Sequence, residues 1–390
     1  MIGSILSPSL RQILFTQLLL TDCNDLTYRC ISSCIPNSMS KTSDLLPLKG
    51  VTDKLNRPVR DLRISVTDRC NFRCTYCMPA EIFGEKYEFL PRPHILTFEE
   101  IQRLAKIFAF AGVSKLRITG GEPLVRANIP ELISGLSSIE GIDDIAMTTN
   151  GYLLAKYAQE LKDAGLNRLT ISLDSIDEDV FKKMSGRPQG PKKTLEGIKI
   201  ASELGFDPIK INVVVQRGVN DNTLVDTARY FKGTGAIVRF IEFMDVGTKN
   251  GWELSQVVTS EEVIDMIDAK FPLEAIDANY AGEVATRYRY LDGEGEIGVI
   301  SSVSEPFCGN CSRARLSTDG KLVTCLFATG GTDLKSALRS GAGDADIAAI
   351  IAKVWNGRDD RYSDLRSKNT EFNTGSSIDG DKVEMYYIGG

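Results

Sequence analysis

The sequence predicts an α/β fold, a six-stranded partial (β/α) barrel followed by a C-terminal α+β extension. From Asp61 onward, short β-rich runs alternate with amphipathic segments, which predicts a parallel sheet with right-handed crossovers. Most of the amphipathic segments end near a glycine, as helices commonly do. Polar residues follow nearly every strand run, and this favours a barrel rim over an open doubly wound sheet.

Composition limits the classes of function. The chain has 390 residues and a formal charge of −6, so a local cluster of Arg and Lys must hold any anionic ligand. The apolar runs are shorter than the ~18 residues of a membrane span. His94 is the one histidine, which disfavours zinc hydrolysis or histidine acid–base chemistry. Two tight groups among the nine cysteines favour metal sites in a reducing cytoplasm over disulfides.

The first 45 residues differ from the rest of the chain. They carry Ser, Thr and Asn without sustained periodicity, so we expect a disordered extension or an upstream start preceding Met39. A mitochondrial presequence is disfavoured because Arg11 is almost alone and Asp22 follows. Three loosely spaced cysteines of this segment are not assigned to a metal site: Cys23, Cys30 and Cys34.

Residues 46–250 are predicted to form the barrel. Its strands are predicted at Leu62–Val66, Lys115–Thr119, Asp144–Thr149, Arg168–Leu173, Ile209–Val215 and Ile237–Met244. Its helices are predicted at Phe98–Ala111, Ile129–Leu136, Leu154–Ala164, Thr194–Leu204 and Thr223–Phe231. The ends of parallel strands meet at one rim, so we expect the functional site there.

Cys70, Cys74 and Cys77 follow the first predicted strand with the spacing C-x3-C-x2-C. Three thiolates on one loop can hold three irons of a cubane cluster and leave the fourth iron open to a small molecule. A four-cysteine electron-transfer site has no such open iron, and a structural zinc site requires four ligands. The loop therefore predicts a [4Fe-4S] cluster with an open coordination position.

Residues 251–390 contain a second group, Cys308, Cys311 and Cys325, with the spacing C-x2-C-x13-C. A zinc ribbon lacking one ligand and a redox pair beside an unrelated cysteine are the alternatives. No fourth cysteine or histidine lies between Pro306 and Gly390, so a second cubane cluster fits better. Arg313 and Arg315, at alternate positions beside it, are suited to bind a polyphosphate, although a solvated arginine pair is the simpler interpretation.

The rest of the C-terminal region reads as a helix at Ser260–Lys270 and a hairpin formed by Val284–Leu291 and Glu296–Val303. The hairpin tip, Gly293–Gly298, matches the dinucleotide fingerprint G-x-G-x-x-G. We reject that function because the glycines lead into a strand rather than a helix. The tip is predicted to be a plain turn.

The cysteine loop, with its aromatic residue before the last cysteine, resembles the radical S-adenosylmethionine (SAM) superfamily. More narrowly, the chain resembles the GTP 3′,8-cyclase family of molybdenum cofactor biosynthesis, from about Leu46 to Gly390. The motifs that carry this resemblance are Cys70–Cys77 with Met78-Pro79, Leu116–Leu124, Thr148–Gly151, Arg239–Met244, Cys308–Arg315 and the terminal Gly389-Gly390.

The resemblance implies a lyase with two [4Fe-4S] clusters that uses SAM to convert GTP to (8S)-3′,8-cyclo-7,8-dihydroguanosine 5′-triphosphate. A 5′-deoxyadenosyl radical would remove the hydrogen at C3′, and the carbon radical would attack C8 of the guanine. The implied partners are an electron donor of the flavodoxin or ferredoxin type, cyclic pyranopterin monophosphate synthase as recipient of the product, and a second copy of the chain. Nucleic acid and membrane are not expected partners.

The resemblance also implies site residues. The cluster ligands are Cys70, Cys74 and Cys77 for the first cluster, and Cys308, Cys311 and Cys325 for the second. The SAM contacts are Tyr76, Gly121, Glu122, Ser172 and Met244. The substrate contacts are Arg63, Lys115, Arg117, Thr148, Lys210, Arg239, Arg313, Ala314, Arg315, Gly389 and Gly390. The residues expected to take part in catalysis are Arg63, Arg313 and Arg315.

Two other functions compete with this interpretation. A peptide or sulfatase maturase would share the radical chemistry and an auxiliary cluster, but such enzymes usually carry more C-terminal cysteines. A non-catalytic iron–sulfur carrier would need neither the Gly120–Pro123 turn nor a polar rim. Formation of deoxyadenosine that depends on GTP would distinguish the cyclase from a maturase. Binding of SAM would distinguish it from a non-catalytic iron–sulfur carrier.

Overall fold

One mixed β-sheet organises the computed structural model, which describes residues 48–280, 282–370 and 382–389, without the side chains of 367–370. Predictions about residues 1–45 and about Gly390 lie outside the described residues. The strands are β1 (Asp61–Ser65), β2 (Lys115–Thr119), β3 (Asp144–Thr149), β4 (Arg168–Ser172), β5 (Ile209–Val215), β6 (Ile237–Glu242), β7 (Leu273–Ile276), β8 (Thr286–Tyr290), β9 (Glu296–Ile300), β10 (Arg313–Leu316), β11 (Lys321–Val323) and β12 (Thr332–Asp333).

The helices of the barrel region separate its strands, and the C-terminal helices follow. They are α1 (Phe98–Phe110), α2 (Ile129–Ser137), α3 (Leu154–Asp163), α4 (Glu178–Ser185), α5 (Lys192–Glu203), α6 (Leu224–Phe231), α7 (Ser260–Asp268), α8 (Lys335–Arg339), α9 (Asp344–Gly357), α10 (Tyr362–Thr370) and α11 (Met385–Ile388).

The sheet order is β12-β11-β10-β1-β2-β3-β4-β5-β6-β9-β8-β7. Strands β1 to β6 are parallel neighbours in chain order. Two further strands extend the parallel run, β10 beside β1 and β9 beside β6. The remaining strands pair antiparallel at the two edges. All six predicted strands are present. The predicted count of six is too low, because β9 and β10 also belong to the parallel run.

Successive side chains of each strand point alternately to the hydrophobic core on one face of the sheet and to a polar cavity on the other. On β1, Leu62 and Ile64 are buried in the hydrophobic core, which also contains Leu104 and Phe108 of α1. Arg63, between them, points to the opposite face and lines a cavity. Inward side chains from β1 to β6 line that same cavity, so the sheet curves around it as an open, partial barrel.

Most local predictions from the sequence agree with the structure. The barrel strands and the predicted helices begin and end within two residues of their expected positions. Gly293 and Gly295 lie in the turn between β8 and β9, as predicted, and not at a dinucleotide site. The prediction missed α4, although Asp177 is a recognisable N-cap whose side chain accepts hydrogen bonds from the amides of Asp179 and Val180.

Within the described part of the chain, no helix combines the length and the apolar character that a membrane crossing requires.

Candidate active site

A cavity of about 320 Å³ runs along the inner face of the parallel strands, from first residues such as Lys115 and Arg168 to the loops at their carboxyl ends. Its wall includes both three-cysteine groups, which lie more than 200 positions apart in the sequence. The parallel pairing of β10 with β1 brings them together, placing Arg315 beside Arg63 and Arg313 beside Asp61. One space therefore faces both predicted cluster sites.

The first cysteine group lies on the loop that follows β1. Cys70, Cys74 and Cys77 are free thiols, and all three line the cavity. The loop is held by Arg73, whose Nη1 donates to the Cys70 carbonyl at 2.8 Å and whose Nε donates to the Phe83 carbonyl at 2.6 Å. These bonds order the loop through its backbone and leave the thiols available.

Burial raises the pKa of all three thiols. It raises the pKa of Cys70 to about 12, with a further contribution from the Glu122 carboxylate. The pKa values of Cys74 and Cys77 are raised more strongly by burial and then by neighbouring acidic groups. Three adjacent thiolates thus require a cationic centre to compensate their charge, as an iron–sulfur cluster does.

The second cysteine group surrounds the start of β10. Cys308 and Cys311 precede that strand, and Cys325 follows β11. Arg313 donates from Nε and Nη2 to Cys311 Sγ at 3.4 and 3.3 Å. Burial alone would raise the pKa of Cys311, but the guanidinium groups of Arg313 and Arg358 lower it to about 6. This thiol is therefore prepared to act as a thiolate ligand.

The donor set fits a cluster better than a single ion. Among residues 48–280, 282–370 and 382–389, no three Cys, His, Asp or Glu side chains converge on one metal-ion position. In a cubane cluster each cysteine binds a different iron, so its three sulfur atoms do not converge as the ligands of one zinc ion do. Each group supplies three thiols at the cavity wall.

Basic side chains cover the cavity wall between the two cysteine groups. Burial, and then the neighbouring cations, lower the pKa of Lys210 to about 8, of Arg239 to about 9 and of Arg315 to about 10. Burial and the adjacent Arg315 also lower the pKa of Arg63, and burial lowers that of Arg117. Mutually destabilised cations in a confined space favour a polyanionic ligand that would restore the charge balance.

Neutral side chains orient two of these cations. Arg117 Nη1 donates to Thr148 Oγ1 at 3.2 Å and to Thr170 Oγ1 at 3.1 Å. Arg239 donates to Asn212 Oδ1, from Nε at 3.0 Å and from Nη2 at 2.6 Å. Because these acceptors carry no charge, the positive charges remain available to a ligand. Arg315 Nε is buried and has no acceptor among the described residues.

The Gly-Gly-Glu-Pro turn after β2 packs directly on the first cysteine loop. The Gly121 amide donates to the Thr67 carbonyl at 2.7 Å, and the Glu122 amide donates to the Arg69 carbonyl at 2.8 Å. A Cβ at Gly121 would lie 2.3 Å from the Arg69 carbonyl oxygen, so no other residue allows this approach.

Glu122 is buried behind that turn. Its carboxylate accepts hydrogen bonds from Thr149 Oγ1 at 2.7 Å and from the Asn150 amide at 2.7 Å. Burial nevertheless raises the pKa of Glu122 to about 7. Across the cavity, Tyr76 donates to Asp174 Oδ2 at 2.9 Å. Both carboxylates also line the cavity and are suited to face a cationic group such as an amine.

The structure places nearly all of the predicted site residues on this one cavity wall. Ala314 differs from its neighbours: its side chain is fully buried in the hydrophobic core, because it alternates with Arg313 and Arg315 on β10. Only its backbone remains available to a substrate. Gly389 does not line the cavity but lies against Thr119, which does.

Sequence reasoning missed other residues of the wall. Tyr280 lies over Lys115, whose Nζ is 3.9 Å from the ring centroid, and Glu283 lies close by on the same loop. Arg358 reaches the second cysteine group from the end of α9. No local signal marks these residues, because their positions depend on how the C-terminal region folds back over the barrel.

Comparison with known proteins gives two family models that match consecutive parts of the chain. The family model described as the Radical SAM superfamily matches residues 64–231, and the one described as Molybdenum Cofactor Synthesis C matches residues 236–364. A GTP 3′,8-cyclase of Staphylococcus haemolyticus is 52% identical over 341 residues, covering 87% of this chain and 99% of that protein. A GTP 3′,8-cyclase of Acidothermus cellulolyticus is 48% identical over 361 residues, with coverages of 87% and 99%.

A solved structure is similar at the level of the fold. The structure of Streptococcus suis SuiB bound to the precursor peptide SuiA superposes with a TM-score of 0.52 and 17% identity. The match covers 80% of this chain and 67% of that chain. At this identity the similarity concerns the fold alone.

Proposed function

The chain belongs to the GTP 3′,8-cyclase family of the radical SAM superfamily, and from this premise we infer that it converts GTP to (8S)-3′,8-cyclo-7,8-dihydroguanosine 5′-triphosphate. It is a radical SAM enzyme of molybdenum cofactor biosynthesis, with SAM and [4Fe-4S] clusters as cofactors. The observation that carries the substrate assignment is a cavity that joins two three-cysteine groups through a cluster of buried cations.

We assign the cavity wall near the first cysteine group to SAM. Cys70, Cys74 and Cys77 would hold the first cluster, and the loop bonds of Arg73 would keep their backbone in place. The bound cluster and SAM supply a 5′-deoxyadenosyl radical. The residues that would surround SAM are Tyr76, Gly121, Glu122, Ser172 and Met244. Among these, Glu122 provides the negative charge that an amino group requires.

The opposite part of the cavity is assigned to GTP. Cys308, Cys311 and Cys325 would hold the second cluster, and the guanine would lie against that side of the cavity. Lys115, Arg117, Lys210 and Arg239 are proposed to bind the triphosphate, with Thr148 beside them. Arg63, Arg313 and Arg315 lie nearer the second cysteine group, and we propose that they act on the base and ribose during cyclisation.

In this arrangement the main role of the protein side chains is to position GTP relative to SAM. Charge-assisted hydrogen bonds would fix the triphosphate, and the two cysteine groups would fix the position of the base relative to SAM. The enclosed wall would also limit the access of water and oxygen to a radical substrate. Few side chains need to exchange protons or form covalent bonds.

Other predictions extend this function. We propose a boundary near residue 250 between the barrel and the C-terminal region that carries the second cluster. We also propose an electron donor of the flavodoxin or ferredoxin type, transfer of product to cyclic pyranopterin monophosphate synthase, and a homodimer. The terminal Gly389-Gly390 is proposed to contact the substrate.

An anaerobic assay tests the function directly. The reconstituted protein is given a reductant, SAM and each nucleoside triphosphate in turn, and deoxyadenosine and nucleotide products are quantified. We expect stoichiometric deoxyadenosine and a cyclised nucleotide with GTP alone. Slow deoxyadenosine formation that is indifferent to GTP would contradict the cyclase and favour another radical SAM enzyme. Absence of SAM cleavage by protein with both clusters intact would refute the enzyme assignment.

A further inference from the structure

Asp53, Arg57 and Arg358, here called the Asp53 clasp, form a buried ion-pair network beside the second cysteine group. Asp53 Oδ2 accepts from Arg57 Nε at 2.6 Å and from Arg358 Nη1 at 2.9 Å. The three side chains are 0%, 3% and 1% exposed, respectively. The clasp joins the chain segment before β1 to the segment after α9, and none of its members belongs to a motif identified in the sequence.

Both arginines of the clasp also hold the cysteine loop by its backbone. Arg57 Nη1 donates to the Cys308 carbonyl at 2.7 Å and to the Asp360 carbonyl at 2.9 Å. Arg358 Nη1 donates to the Cys311 carbonyl at 2.8 Å. The backbone positions of two of the three predicted ligands are thus set by guanidinium groups that a single carboxylate orients.

The fully buried side chains of the clasp carry one net positive charge, because two guanidinium groups share the buried Asp53. The other carboxylate paired with them among the described residues, Asp360, is 30% exposed and therefore compensates that charge less effectively. Buried charge without compensation is expensive. An iron–sulfur cluster held by three thiolates is anionic, and Arg358 lines the same cavity as the cysteines. The net positive charge of the buried clasp side chains therefore lies beside the second cysteine group, where an anionic cluster would compensate it.

We propose that the Asp53 clasp positions the ligands of the second cluster and, through its excess positive charge, raises the reduction potential of that cluster. This inference rests on the proposed function, which assigns Cys308, Cys311 and Cys325 to a cluster. Arg57 and Arg358 act on the cluster through the ligand backbone and through their charge, and Asp53 acts by orienting both arginines. These are positioning residues, like the outer partners that orient ligands at other metal sites.

The experiment isolates the second cluster in the full-length chain by replacing Cys70, Cys74 and Cys77 with Ala. In this background we compare Asp53→Asn, Arg57→Gln and Arg57→Lys with the parent after anaerobic reconstitution. Lys54→Met is the matched control, because Lys54 adjoins Asp53 but its side chain is 57% exposed. The readouts are iron release to a chelator, the electron paramagnetic resonance spectrum of the reduced cluster and its midpoint potential.

We expect Asp53→Asn and Arg57→Gln to release iron roughly 10- to 100-fold faster than the parent, as for other outer-shell substitutions. Arg57→Gln should also lower the midpoint potential, since the lost positive charge makes an added electron less favourable. Arg57→Lys retains the charge but not the fork of donors, so it should release iron faster with little change in potential. Lys54→Met should match the parent in all three readouts.

The possible outcomes distinguish failure of the clasp inference from failure of the assignment of the second cluster. If Cys308→Ala in the same background retains a full complement of iron, the proposed second cluster is wrong. If Cys308→Ala loses iron but the Asp53 and Arg57 variants match the parent, the clasp inference is wrong. Near-ultraviolet circular dichroism of the iron-free proteins identifies variants that fail to fold. If Asp53→Asn fails to fold, the midpoint potentials of Arg57→Lys and Arg57→Gln still test the inference. Equal midpoint potentials in these two variants would contradict an effect of the Arg57 charge on the cluster.

Discussion

Single residues determine the electrostatics of the cavity. Arg63, Arg117 and Arg315 lie on neighbouring strands and face the same space, and after burial the charges of Arg315 and Arg117 lower the pKa of Arg63. Burial and the neighbouring Arg239 lower the pKa of Lys210, another cation of the cavity wall, to about 8. The positive charge available to a polyphosphate therefore changes with pH as this lysine titrates.

The first prediction concerns the pH dependence of GTP binding. Burial and Arg239 lower the pKa of Lys210 to about 8, so its charge is present below that pH and lost above it. GTP affinity should therefore fall as the pH rises through about 8. Lys210→Arg should flatten this dependence, and Lys210→Met should weaken binding roughly tenfold or more at neutral pH. Equilibrium binding to reconstituted protein measures both effects, and an unchanged pH profile in Lys210→Arg would contradict the assignment.

The second prediction concerns Gly389. Its φ is +68°, and a Cβ there would lie 2.0 Å from Thr119 Cγ2. Gly389→Ala should displace the tail and reduce cyclised product, while leaving SAM cleavage largely intact. Gly50→Ala is the control, because Gly50 has a similar φ of +70° and a Cβ added there would meet no atom within 4 Å. Equal product loss in both variants would mean that backbone strain, and not tail contact, is responsible.

At the level of elements, two C-terminal pieces complete a site that the barrel begins. Strand β10 carries Arg313 and Arg315 into the parallel sheet beside β1. The segment 382–389 returns to the loop that follows β6, where Lys382 Nζ lies 2.8 Å from Asp245 Oδ2 and Glu384 Oε1 accepts from the Thr248 amide at 3.0 Å. Met244, a proposed SAM contact, lies in this loop immediately before Asp245.

The third prediction separates the roles of the two cysteine groups. Cys308→Ala removes one thiol of the second group, on the far side of the cavity from the proposed SAM site. SAM cleavage should persist, and cyclised product should be abolished because the guanine is no longer positioned. Deoxyadenosine and cyclised nucleotide are quantified in the same anaerobic reaction. Normal product formation would refute a function for the second group, and Cys70→Ala, which should abolish both products, serves as the comparison.

The fourth prediction concerns the attachment of the tail. Lys382 Nζ contacts Asp245 and also lies 2.7 Å from the Tyr362 hydroxyl. Lys382→Met should loosen residues 382–389, since charged hydrogen bonds contribute about 1.5–3 kcal/mol each. Chymotrypsin should then cleave near Tyr386 roughly tenfold faster, and cyclised product should fall. The exposed Lys353→Met is the control, and wild-type cleavage rates in Lys382→Met would show that the anchor is elsewhere.

At the scale of the whole molecule, the sheet connects regions that the sequence separates. The proposed boundary near residue 250 divides the chain, yet β9 and β10 from its second part pair with β6 and β1 from its first. The buried Trp355 in α9 donates from its indole to the Arg57 carbonyl at 2.9 Å, which joins the two ends of the described chain. The described residues, 48–280, 282–370 and 382–389, accordingly belong to one compact unit.

The fifth prediction is that this unit unfolds cooperatively. Both tryptophans, Trp252 and Trp355, lie in the second part of the chain, whereas helices of both parts contribute to far-ultraviolet circular dichroism. Chemical unfolding of iron-free protein should give coincident transitions by tryptophan fluorescence and by circular dichroism. Two separated transitions would contradict it and would support independent folding of the two parts.

Much of the barrel was predictable because its signals are local. Residues 115–119, 144–149 and 209–215 alternate or cluster apolar side chains over a few positions, and the strands begin and end there. The same alternation places Ala314: if Arg313 and Arg315 face the cavity, the side chain between them faces the core. A contact of Ala314 with the substrate therefore stays a prediction for its backbone alone.

The sequence by itself determined the chemistry: two sets of three thiols, an excess of arginines near them, and the α/β class of the fold. Only the tertiary structure decided that both sets share one cavity and that Tyr280 covers Lys115. It also decided that Asp53, which pairs with Arg57, pairs with Arg358 305 positions away. Spacing and periodicity report on neighbours along the chain, because hydrogen bonding and burial within an element repeat every few residues. Contacts between distant segments arise from packing of the complete sheet, and no short stretch of sequence specifies them.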